Sequence, residues 1–525
     1  MKEKADLLII NGRIYTAGDK SQIEESMAIR EGKILKAGST SEILKGYNAT
    51  DTIDLHGNTV FPGFIDAHCH FVGLAKNLQY TDLTNAGSFD EILDRVKAFT
   101  SVLPGGWIAG RGWDQNLWRV KQFPDRAELD KLFPGRPVIL IRVDGHLVLA
   151  NETALELAGI GKNHRFKKEE VEVKEGRLTG ILSETAADHI RSIIPNPDIN
   201  SMTLLLERAE KICFSSGLTG VSDAGLDYAT VCLIDTLQRQ QKIKMIIYAM
   251  LDPSPKNISG FIVKGILQTP RLTIRSIKIY ADGSLGSRTA LLKKPYSDDL
   301  SKRGILVTQV DSVRKLCELA MENNYQVNTH AIGDSANRLI LDLYASVLKG
   351  KNDKRWRIEH AQVVDPSDVP LFGDYSVIPS VQATHATSDM QWAESRLGAE
   401  RIGSAYAYKA LLAQNGWIAN GTDFPIEQVS PLLTFYAAVS RQDLKGEPQP
   451  GFQMENALTR EQALRSITIW AARGNFWENE RGSLEEGKSA DFVILDRDIM
   501  KIPIAEVPSV KVIKTYLKGE CVYGK

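Results

Sequence analysis

Residues 61–70 read Phe-Pro-Gly-Phe-Ile-Asp-Ala-His-Cys-His, an apolar strand that ends in two histidines. Because His68 and His70 are two residues apart in an extended chain, their imidazoles point to the same side. Two imidazoles in that position suit one metal ion, since neutral imidazole is a common ligand of zinc and related ions. Cys69 points the other way and is predicted to pack. A pair of solvated or core histidines is the alternative interpretation, and the position of both before a loop disfavours it.

Beyond this strand, apolar β-branched runs alternate with amphipathic segments, a pattern typical of βα units around a parallel sheet. Eight such units predict an α/β fold, a (β/α)8 TIM barrel over residues 61–479. A doubly wound open sheet gives a similar alternation and remains the alternative. The eight predicted strands lie near Val60–Ala67, Thr219–Asp223, Lys244–Met250, Ser276–Ala281, Gln326–Thr329, Trp356–Glu359, Val377–Gln382 and Trp417–Gly421.

The gap between the first and second predicted strands is too long for one crossover connection. Residues of roughly 72–199 are therefore predicted to form an α+β insertion in the barrel. One of its helices begins at a capping-box pattern formed by Ser88 and Glu91. Since the loops after barrel strands build the active site, we expect an insertion at this point to cover it.

Both ends of the chain show strand patterns. Asp6–Ile10 and Arg13–Thr16 flank Asn11-Gly12, which predicts a hairpin because both turn residues tolerate positive φ. Alternating apolar residues return near the other end of the chain. Strands from opposite ends of a chain often close one small sheet, so residues 1–60 and 480–525 are predicted to form a composite β-sandwich domain.

The charge of the chain is balanced, with 64 lysines and arginines against 65 aspartates and glutamates among 525 residues. This balance gives no reason to expect nucleic acid or an anionic membrane as a partner. The first residues lack the apolar core of a secretory signal, and no stretch reaches the length of a membrane span. The five scattered cysteines fit a reducing compartment. We therefore expect a cytoplasmic protein with a small-molecule partner, and a homodimer would be common for such a protein.

Further side chains that can bind metals stand at the ends of later predicted strands. His330 ends Gln-Val-Asn-Thr-His, His360 ends Trp-Arg-Ile-Glu-His, and Asp423 follows Ala-Asn-Gly-Thr. Either histidine alone would more often be an ordinary hydrogen-bonded residue than a ligand. Four of the nine histidines share this placement, however, and the strand ends of a barrel meet at one rim. The sequence therefore predicts a metal centre at that rim.

Lys278 lies between two isoleucines in the fourth predicted strand. A lysine in that setting commonly faces outward or pairs with a carboxylate. A buried lysine instead has a lowered pKa and becomes a neutral amine that can react. Combination with carbon dioxide would turn this amine into a carbamate, an oxygen ligand able to bridge two metal ions.

Five strings occur in order along the chain: PGFIDAHCHF, KIYADGSLGSRTALL, NTHAIGDSANRLILD, RIEHAQ and NGTDFP. Together they resemble the amidohydrolase superfamily with binuclear metal centres, and within it the YtcJ-like branch, over essentially the whole chain. The resemblance implies two divalent metals per chain, zinc by default, with iron, manganese and cobalt as alternatives. The implied ligands are His68, His70 and Asp423 for the more buried metal, His330 and His360 for the second, and a carboxylated Lys278 as the bridge.

The resemblance also implies an activity, the hydrolysis of a non-peptide, amide-like C–N bond by a metal-bridging hydroxide, with an N-substituted formamide or N-acyl amine as substrate. Asp423 would act as general base and then as general acid. His146 matches a family string and would polarise the substrate carbonyl, although a structural role is equally compatible. A mononuclear deaminase of cyclic amidines does not need Lys278 and is disfavoured, as is a hydantoin-type ring hydrolase. The complete ligand set argues against a non-catalytic regulatory relative.

Five polar or aromatic residues near the expected mouth are weaker candidates for substrate binding. Arg288 could bind a carboxylate of the substrate, or it could only hold its own loop in place. Trp113 would favour an apolar substituent in the substrate, but a core position is the more common role for a tryptophan. The five are Trp113, Asp114, Glu184, Arg288 and His385.

Overall fold

The computed structural model describes residues 2–18, 22–102, 106–143 and 146–524. The chain forms two compact units, one made of Met1–Val72 with Ala209–Lys525 and the other of Gly73–Arg208. Among the described residues, no helix combines the length and the apolar character that a membrane crossing needs.

The larger unit is built around eight parallel strands whose order in the sheet follows their order in the chain. The last strand returns to the first, because the N–H of Asp423 donates to the main-chain oxygen of His68 and the N–H of His70 donates to that of Phe424, both at 2.8 Å. The sheet is thus a nearly closed TIM barrel, and the open doubly wound alternative is wrong. Barrel strands 1 to 8 are Phe64–Cys69, Leu218–Leu226, Ile246–Leu251, Leu272–Tyr280, Gln326–Ala331, Arg357–His360, Ile378–Val381 and Ala419–Asn420.

The first predicted strand is two strands in the structure. Thr59–Pro62 belongs to a separate sheet, and Phe64–Cys69 starts the barrel. The chain changes sheet at Gly63, where a Cβ atom would lie 2.4 Å from the Thr219 side chain, so this close passage requires glycine. The other seven predicted strands overlap the observed ones and differ by a few residues at their ends.

Helices connect the barrel strands and pack their apolar faces against the sheet. Thr459 and Gln462 form a capping box that begins one of the last helices, with main-chain to side-chain distances of 3.2 and 3.0 Å. The α-helices of this unit are Thr40–Gly46, Tyr228–Arg239, Pro255–Gly260, Val310–Glu322, Asp334–Leu348, Val369–Asp374, Ala383–Asp389, Ala393–Leu397, Tyr408–Asn415, Pro431–Ser440, Arg460–Ser466 and Ile469–Gly474, and Phe71–Asn77 and Ile199–Ser215 cross the unit boundary.

Both ends of the chain contribute to a six-stranded sheet of the larger unit. Its strands, in spatial order, are Glu520–Tyr523, Val512–Leu517, Phe492–Leu495, Thr59–Pro62, Arg13–Tyr15 and Ile23–Glu24. A four-stranded sheet has the order Lys33–Gly38, Ser26–Arg30, Glu3–Ile10 and Tyr47–Asp54. One buried apolar cluster takes side chains from both sheets, among them Ile9, Ile29, Val60 and Phe492.

The predicted hairpin at Asn11-Gly12 is wrong. Glu3–Ile10 pairs with strands of the four-stranded sheet, whereas Arg13–Tyr15 pairs within the six-stranded sheet. The chain crosses from one sheet to the other at this turn, and a Cβ atom at Gly12 would lie 2.0 Å from Leu55 Cδ1. Gly12 is therefore explained by tight packing against Leu55 in the core shared by the two sheets, and not by a hairpin turn.

The smaller unit has its own six-stranded sheet, with a buried apolar cluster on each face. Leu140 belongs to one cluster and Ile139 to the other, as expected for neighbouring residues of one strand. The strands in spatial order are Val171–Lys174, Arg177–Ser183, Leu147–Ala150, Val138–Arg142, Ile108–Trp113 and Tyr80–Asp82, and the helices within the unit are Phe89–Val102, Ala127–Leu132, Glu152–Leu157 and Glu184–Ser192.

Candidate metal centre

The six predicted metal ligands all lie at the carboxyl ends of barrel strands. Three of them, His68, His360 and Asp423, each offer a ligand atom within 4.8 Å of the others. By position, His68 and His70 belong to the end of strand 1, Lys278 to strand 4, His330 to strand 5, His360 to the end of strand 6, and Asp423 to the segment after strand 8.

Asp423 brings the two histidines of strand 1 together. Its Oδ1 lies 3.2 Å from His70 Nε2 and 3.6 Å from His68 Nε2. Lys278 Nζ lies 3.2 Å from the same His68 nitrogen. On the other side, the His330 and His360 rings are 4.5 Å apart between centroids. The barrel therefore gathers the predicted ligands into one cluster.

Each histidine of the cluster has one ring nitrogen against a fixed oxygen. A ring nitrogen that faces a carbonyl or carboxylate oxygen carries the hydrogen, so the other nitrogen presents its lone pair. His330 uses Nε2, which lies 3.2 Å from the main-chain oxygen of Gly283. The other three use Nδ1 and present Nε2: His68 with Glu359 Oε2 (2.6 Å), His70 with the main-chain oxygen of Ala224 (3.1 Å), and His360 with Gln382 Oε1 (2.6 Å).

Burial keeps most of these imidazoles in the neutral form that binds metals. It lowers the pKa of His68 and of His360, and it lowers the pKa of His330 to about 3. His70 is the exception: burial acts to lower its pKa, but the hydrogen bond to Asp423 and the charge of that carboxylate outweigh burial and raise it. A proton on His70 Nε2 would remove the repulsion between the lone pair of that nitrogen and the lone pair of Asp423 Oδ1, which lies 3.2 Å away.

A metal cation between the Nε2 atoms of His68 and His70 and Oδ1 of Asp423 would relieve the repulsion between their lone pairs, as a proton on His70 would. Asp423 Oδ1 is buried and, with His70 in its neutral Nδ1–H form, accepts no hydrogen bond from the described residues, although it faces the Nε2 atoms of His68 and His70. Buried acceptors that converge on one another are costly unless a donor or a metal ion lies between them. The donor set of imidazole nitrogens and a carboxylate therefore fits zinc, iron, manganese or cobalt.

Lys278 is fully buried beside this cluster. Burial lowers the pKa of Lys278 to about 8, although the nearby Glu359 and Asp423 carboxylates act in the opposite direction. The lowered pKa raises the share of neutral amine above that of an exposed lysine, and a neutral amine is the form that reacts with carbon dioxide.

Asp66 fixes the position of both strand ends that carry the cluster. Its buried carboxylate accepts the N–H of His68 at 3.1 Å, and it accepts the N–H and the hydroxyl of Thr422 at 3.1 and 2.7 Å. A Cβ atom at Gly421 would lie 2.5 Å from His68 N and 2.6 Å from Asp66 Oδ1. Strands 1 and 8 can therefore meet here only with glycine at residue 421.

Comparison with known proteins agrees with this geometry. Residues 51–523 match the family described as the amidohydrolase family. This chain belongs to the amidohydrolase family. It is 32% identical to the putative amidohydrolase YtcJ of Bacillus subtilis strain 168 over 98% of both chains. It is 26% identical to the N-substituted formamide deformylase of Arthrobacter pascens, over 100% of this chain and 99% of that protein.

A solved structure leads to the same result. An uncharacterized metal-dependent hydrolase from Pyrococcus horikoshii OT3 is 31% identical to this amidohydrolase, with a TM-score of 0.77 over 95% of this chain and 99% of that one. The resemblance to YtcJ-like metal-dependent hydrolases, read from the five sequence strings, is thereby confirmed.

His385 lies at the edge of the group of candidate metal ligands in this amidohydrolase. Its Nε2 is 3.7 Å from Asp423 Oδ2, and its ring is 5.9 Å from the His360 ring between centroids. That nitrogen is buried and has no hydrogen-bond partner among the described residues. Its role as a substrate contact stays a prediction.

Arg288 pins its own loop. Its Nε and Nη2 donate to Asp298 at 3.0 and 2.9 Å, so the guanidinium fork is already occupied. This ion pair fits the loop-fixing role predicted for Arg288, and its role as a substrate clamp stays a prediction.

Two predicted substrate contacts, Trp113 and Asp114, have hydrogen-bond partners within the smaller unit. Trp113 is 1% exposed, and its indole N–H donates to the main-chain oxygen of Leu140 at 2.8 Å. Asp114 accepts the N–H of Asn116 at 3.0 Å and pairs with Arg142 at 2.8 Å. A buried indole and a doubly engaged carboxylate are typical of core and turn positions, and the substrate contacts assigned to Trp113 and Asp114 stay predictions.

His146 and Glu184 form an exposed pair in the smaller unit. His146 Nδ1 lies 3.4 Å from Glu184 Oε2, and Glu184 has a φ of 44°. Asp144 and Gly145, the preceding residues of the family string, lie outside the described residues. The catalytic role of His146 and the substrate contact of Glu184 stay predictions.

Sequence reasoning missed several buried partners of the cluster. Glu359 immediately precedes His360, and in a regular strand the two side chains would point to opposite faces. Strand 6 ends at His360, whose φ is 74°, so the backbone turns and both side chains reach the cluster. Asp282 was also missed: it accepts the N–H groups of Leu291, Ile332 and Gly333 at 2.8, 3.0 and 2.8 Å and lies 3.7 Å from His330 Nε2.

Gly421→Ala is predicted to weaken both the fold and the cluster. The added methyl would meet the His68 backbone, which must shift, at a cost of roughly 1–3 kcal/mol. We expect a lower midpoint of thermal unfolding and less bound metal per chain by elemental analysis. Gly403→Ala is the matched control, because a Cβ atom there has no neighbour within 4 Å. Equal unfolding midpoints for the two variants would contradict the close approach at residue 421.

Proposed function

We propose that this amidohydrolase is a binuclear metal-dependent hydrolase that cleaves a non-peptide C–N bond, with N-substituted formamides or N-acyl amines as its substrate class. The observation that carries the proposal is the convergence of unprotonated ring nitrogens and the Asp423 carboxylate beside the buried Lys278 amine. The formamide deformylase relative, aligned over the whole chain, supports the bond type. A small-molecule substrate, a homodimer and a cytoplasmic location complete the proposal.

Each metal has its own ligands in this proposal. His68, His70 and Asp423 would hold the more buried metal, and His330 and His360 the second. Lys278 would bridge them as a carbamate: its neutral Nζ bonds to the carbon of carbon dioxide and loses one proton. The metal pair, zinc by default, would lower the pKa of a bound water and polarise the substrate carbonyl.

Asp423 has the geometry of a proton carrier. Its Oδ1 faces the ligand histidines, whereas Oδ2 lies toward His385 at 3.7 Å. It would accept a proton as water adds to the substrate carbonyl carbon, and it would return that proton to the nitrogen as the C–N bond breaks. His146 would assist at the substrate carbonyl, and His385 would contact the substrate.

A mononuclear deaminase of cyclic amidines is the second candidate. His68, His360 and Asp423 alone form a compact three-residue set within 4.8 Å, which suits one ion. The buried Lys278 has no task in such a centre, and for that reason the binuclear hydrolase is preferred.

Metal content distinguishes the two candidates. We expect about two metals per chain in protein purified without chelators and clear loss in Lys278→Ala, because the bridge is gone. With ¹³C-labelled bicarbonate, the parent should show a carbamate resonance that the variant lacks. Lys256→Ala, at an exposed lysine, is the control. One metal that survives Lys278→Ala would favour the deaminase, and no metal after reconstitution would overturn both.

Turnover tests the role of Asp423. Metal-loaded parent protein should release amine from N-substituted formamides or N-acyl amines, measured by fluorescent amine labelling. Asp423→Asn should lower that rate by about 10²–10⁴-fold, since proton transfer contributes on this scale. Asp374→Asn, at an exposed aspartate, should retain the parent rate. A parent-like rate in Asp423→Asn would contradict the assigned proton transfer.

A further inference from the structure

The histidines of the metal cluster differ in the oxygen that fixes them. His70 and His330 face main-chain carbonyl oxygens, and His360 faces the amide oxygen of Gln382. Of the four ring nitrogens that face these fixing oxygens, His68 Nδ1 is the one with a carboxylate oxygen of the described residues within hydrogen-bond distance, Glu359 Oε2 at 2.6 Å, whereas Asp282 Oδ1 lies 3.7 Å from His330 Nε2. Three ligands thus have neutral acceptors and one has an anionic acceptor.

Glu359 is held in the barrel interior without contact with solvent. It is 0% exposed, and its second oxygen, Oε1, has no hydrogen-bond partner among the described residues. The buried guanidinium of Arg357 lies 4.0 Å from that oxygen. Arg357 is itself fixed, because it donates to the main-chain oxygens of Ala67 and Gly474 and to Asn475 Oδ1.

The charge of Glu359 is balanced by neighbours on two sides. Arg357 lies 4.0 Å away without a direct hydrogen bond, and His68 makes the one hydrogen bond to the carboxylate among the described residues. A neutral side chain could fix the His68 ring equally well, as Gln382 does for His360. The charge of Glu359 therefore points to an effect on His68 itself rather than to packing.

A carboxylate that accepts the Nδ1 hydrogen pushes electron density toward the opposite nitrogen. His68 Nε2, which faces Asp423 and Lys278, then becomes a stronger metal donor than the other ring nitrogens. Loss of such an outer partner typically lowers metal affinity 10–100-fold.

We propose that Glu359 is a positioning residue that makes the metal held by His68 the tighter of the two. The proposal rests on the binuclear centre proposed above. It predicts that a chelator removes the metals in two separate steps and that the metal at His68 leaves last.

The test is a titration of the cobalt-loaded protein with a chelator that competes for the metal, and the visible absorption of bound cobalt is the readout. In the parent, cobalt should be removed in two phases, a loose phase at low chelator concentration and a tight phase at high chelator concentration. Glu359→Gln keeps the side-chain shape and loses the charge, so we expect the tight phase alone to weaken about 10–100-fold with an altered cobalt spectrum. Gln382→Asn, whose shorter amide cannot reach His360, is the reciprocal control and should weaken the loose phase alone.

A second variant separates the hydrogen bond from the charge balance. Glu359→Gln leaves Arg357 without a counter-charge, whereas Glu359→Asp keeps the charge and shortens the reach to His68 by one methylene. We expect Glu359→Asp to retain the parent unfolding midpoint and to lose the tight phase. If Glu359→Gln does not fold, the result for Glu359→Asp tests the proposal. A parent-like tight phase in a folded variant, or equal weakening of both phases, would overturn the proposal. A parent that binds no metal would instead overturn the proposed function.

Discussion

The Asp66 carboxylate is the constraint on which the arrangement of the candidate metal ligands depends. It joins the N–H of His68 on strand 1 to the N–H and hydroxyl of Thr422 after strand 8, and so closes the barrel at the end that carries the ligands. Burial raises the pKa of Asp66 to about 7, against the effect of these hydrogen bonds, so the closure carries an electrostatic cost. Asp66 thereby brings together His68 and the segment that carries Asp423, the first and last of the candidate ligands along the chain.

The interior of the barrel concentrates charge where most proteins place apolar side chains. Lys278, Arg357 and Glu359 are all fully buried, and the Nε2 atoms of His68 and His70 converge on Asp423 Oδ1, with Lys278 Nζ 3.2 Å from His68 Nε2. Such an arrangement stores unfavourable electrostatics that a packed apolar shell must offset. The same low-dielectric surroundings strengthen any attraction to a cation, so the cost of burying these charges and the fit to a metal ion have one origin.

Sequence periodicity predicted the barrel strands and the rim positions of the ligands, because both follow from the two-residue repeat of strands and from the strand-helix alternation. It could not predict Glu359, since the left-handed turn at His360 breaks that repeat and lets neighbouring side chains face one side. It misread Asn11-Gly12 as a hairpin, because local turn preference carries no information on which sheet receives the next strand. Trp113 shows a third limit: composition does not separate a core indole from a pocket wall.

The six-stranded sheet has a consequence for synthesis on the ribosome. Thr59–Pro62 lies between Arg13–Tyr15 and Phe492–Leu495, so one of its edges stays unpaired until the last segment of the chain has emerged. At about 5–20 residues per second, that delay amounts to tens of seconds. An apolar strand edge exposed for so long is open to pairing with other nascent chains. The period of aggregation risk thus begins when Thr59–Pro62 is made and ends when Phe492–Leu495 pairs with it.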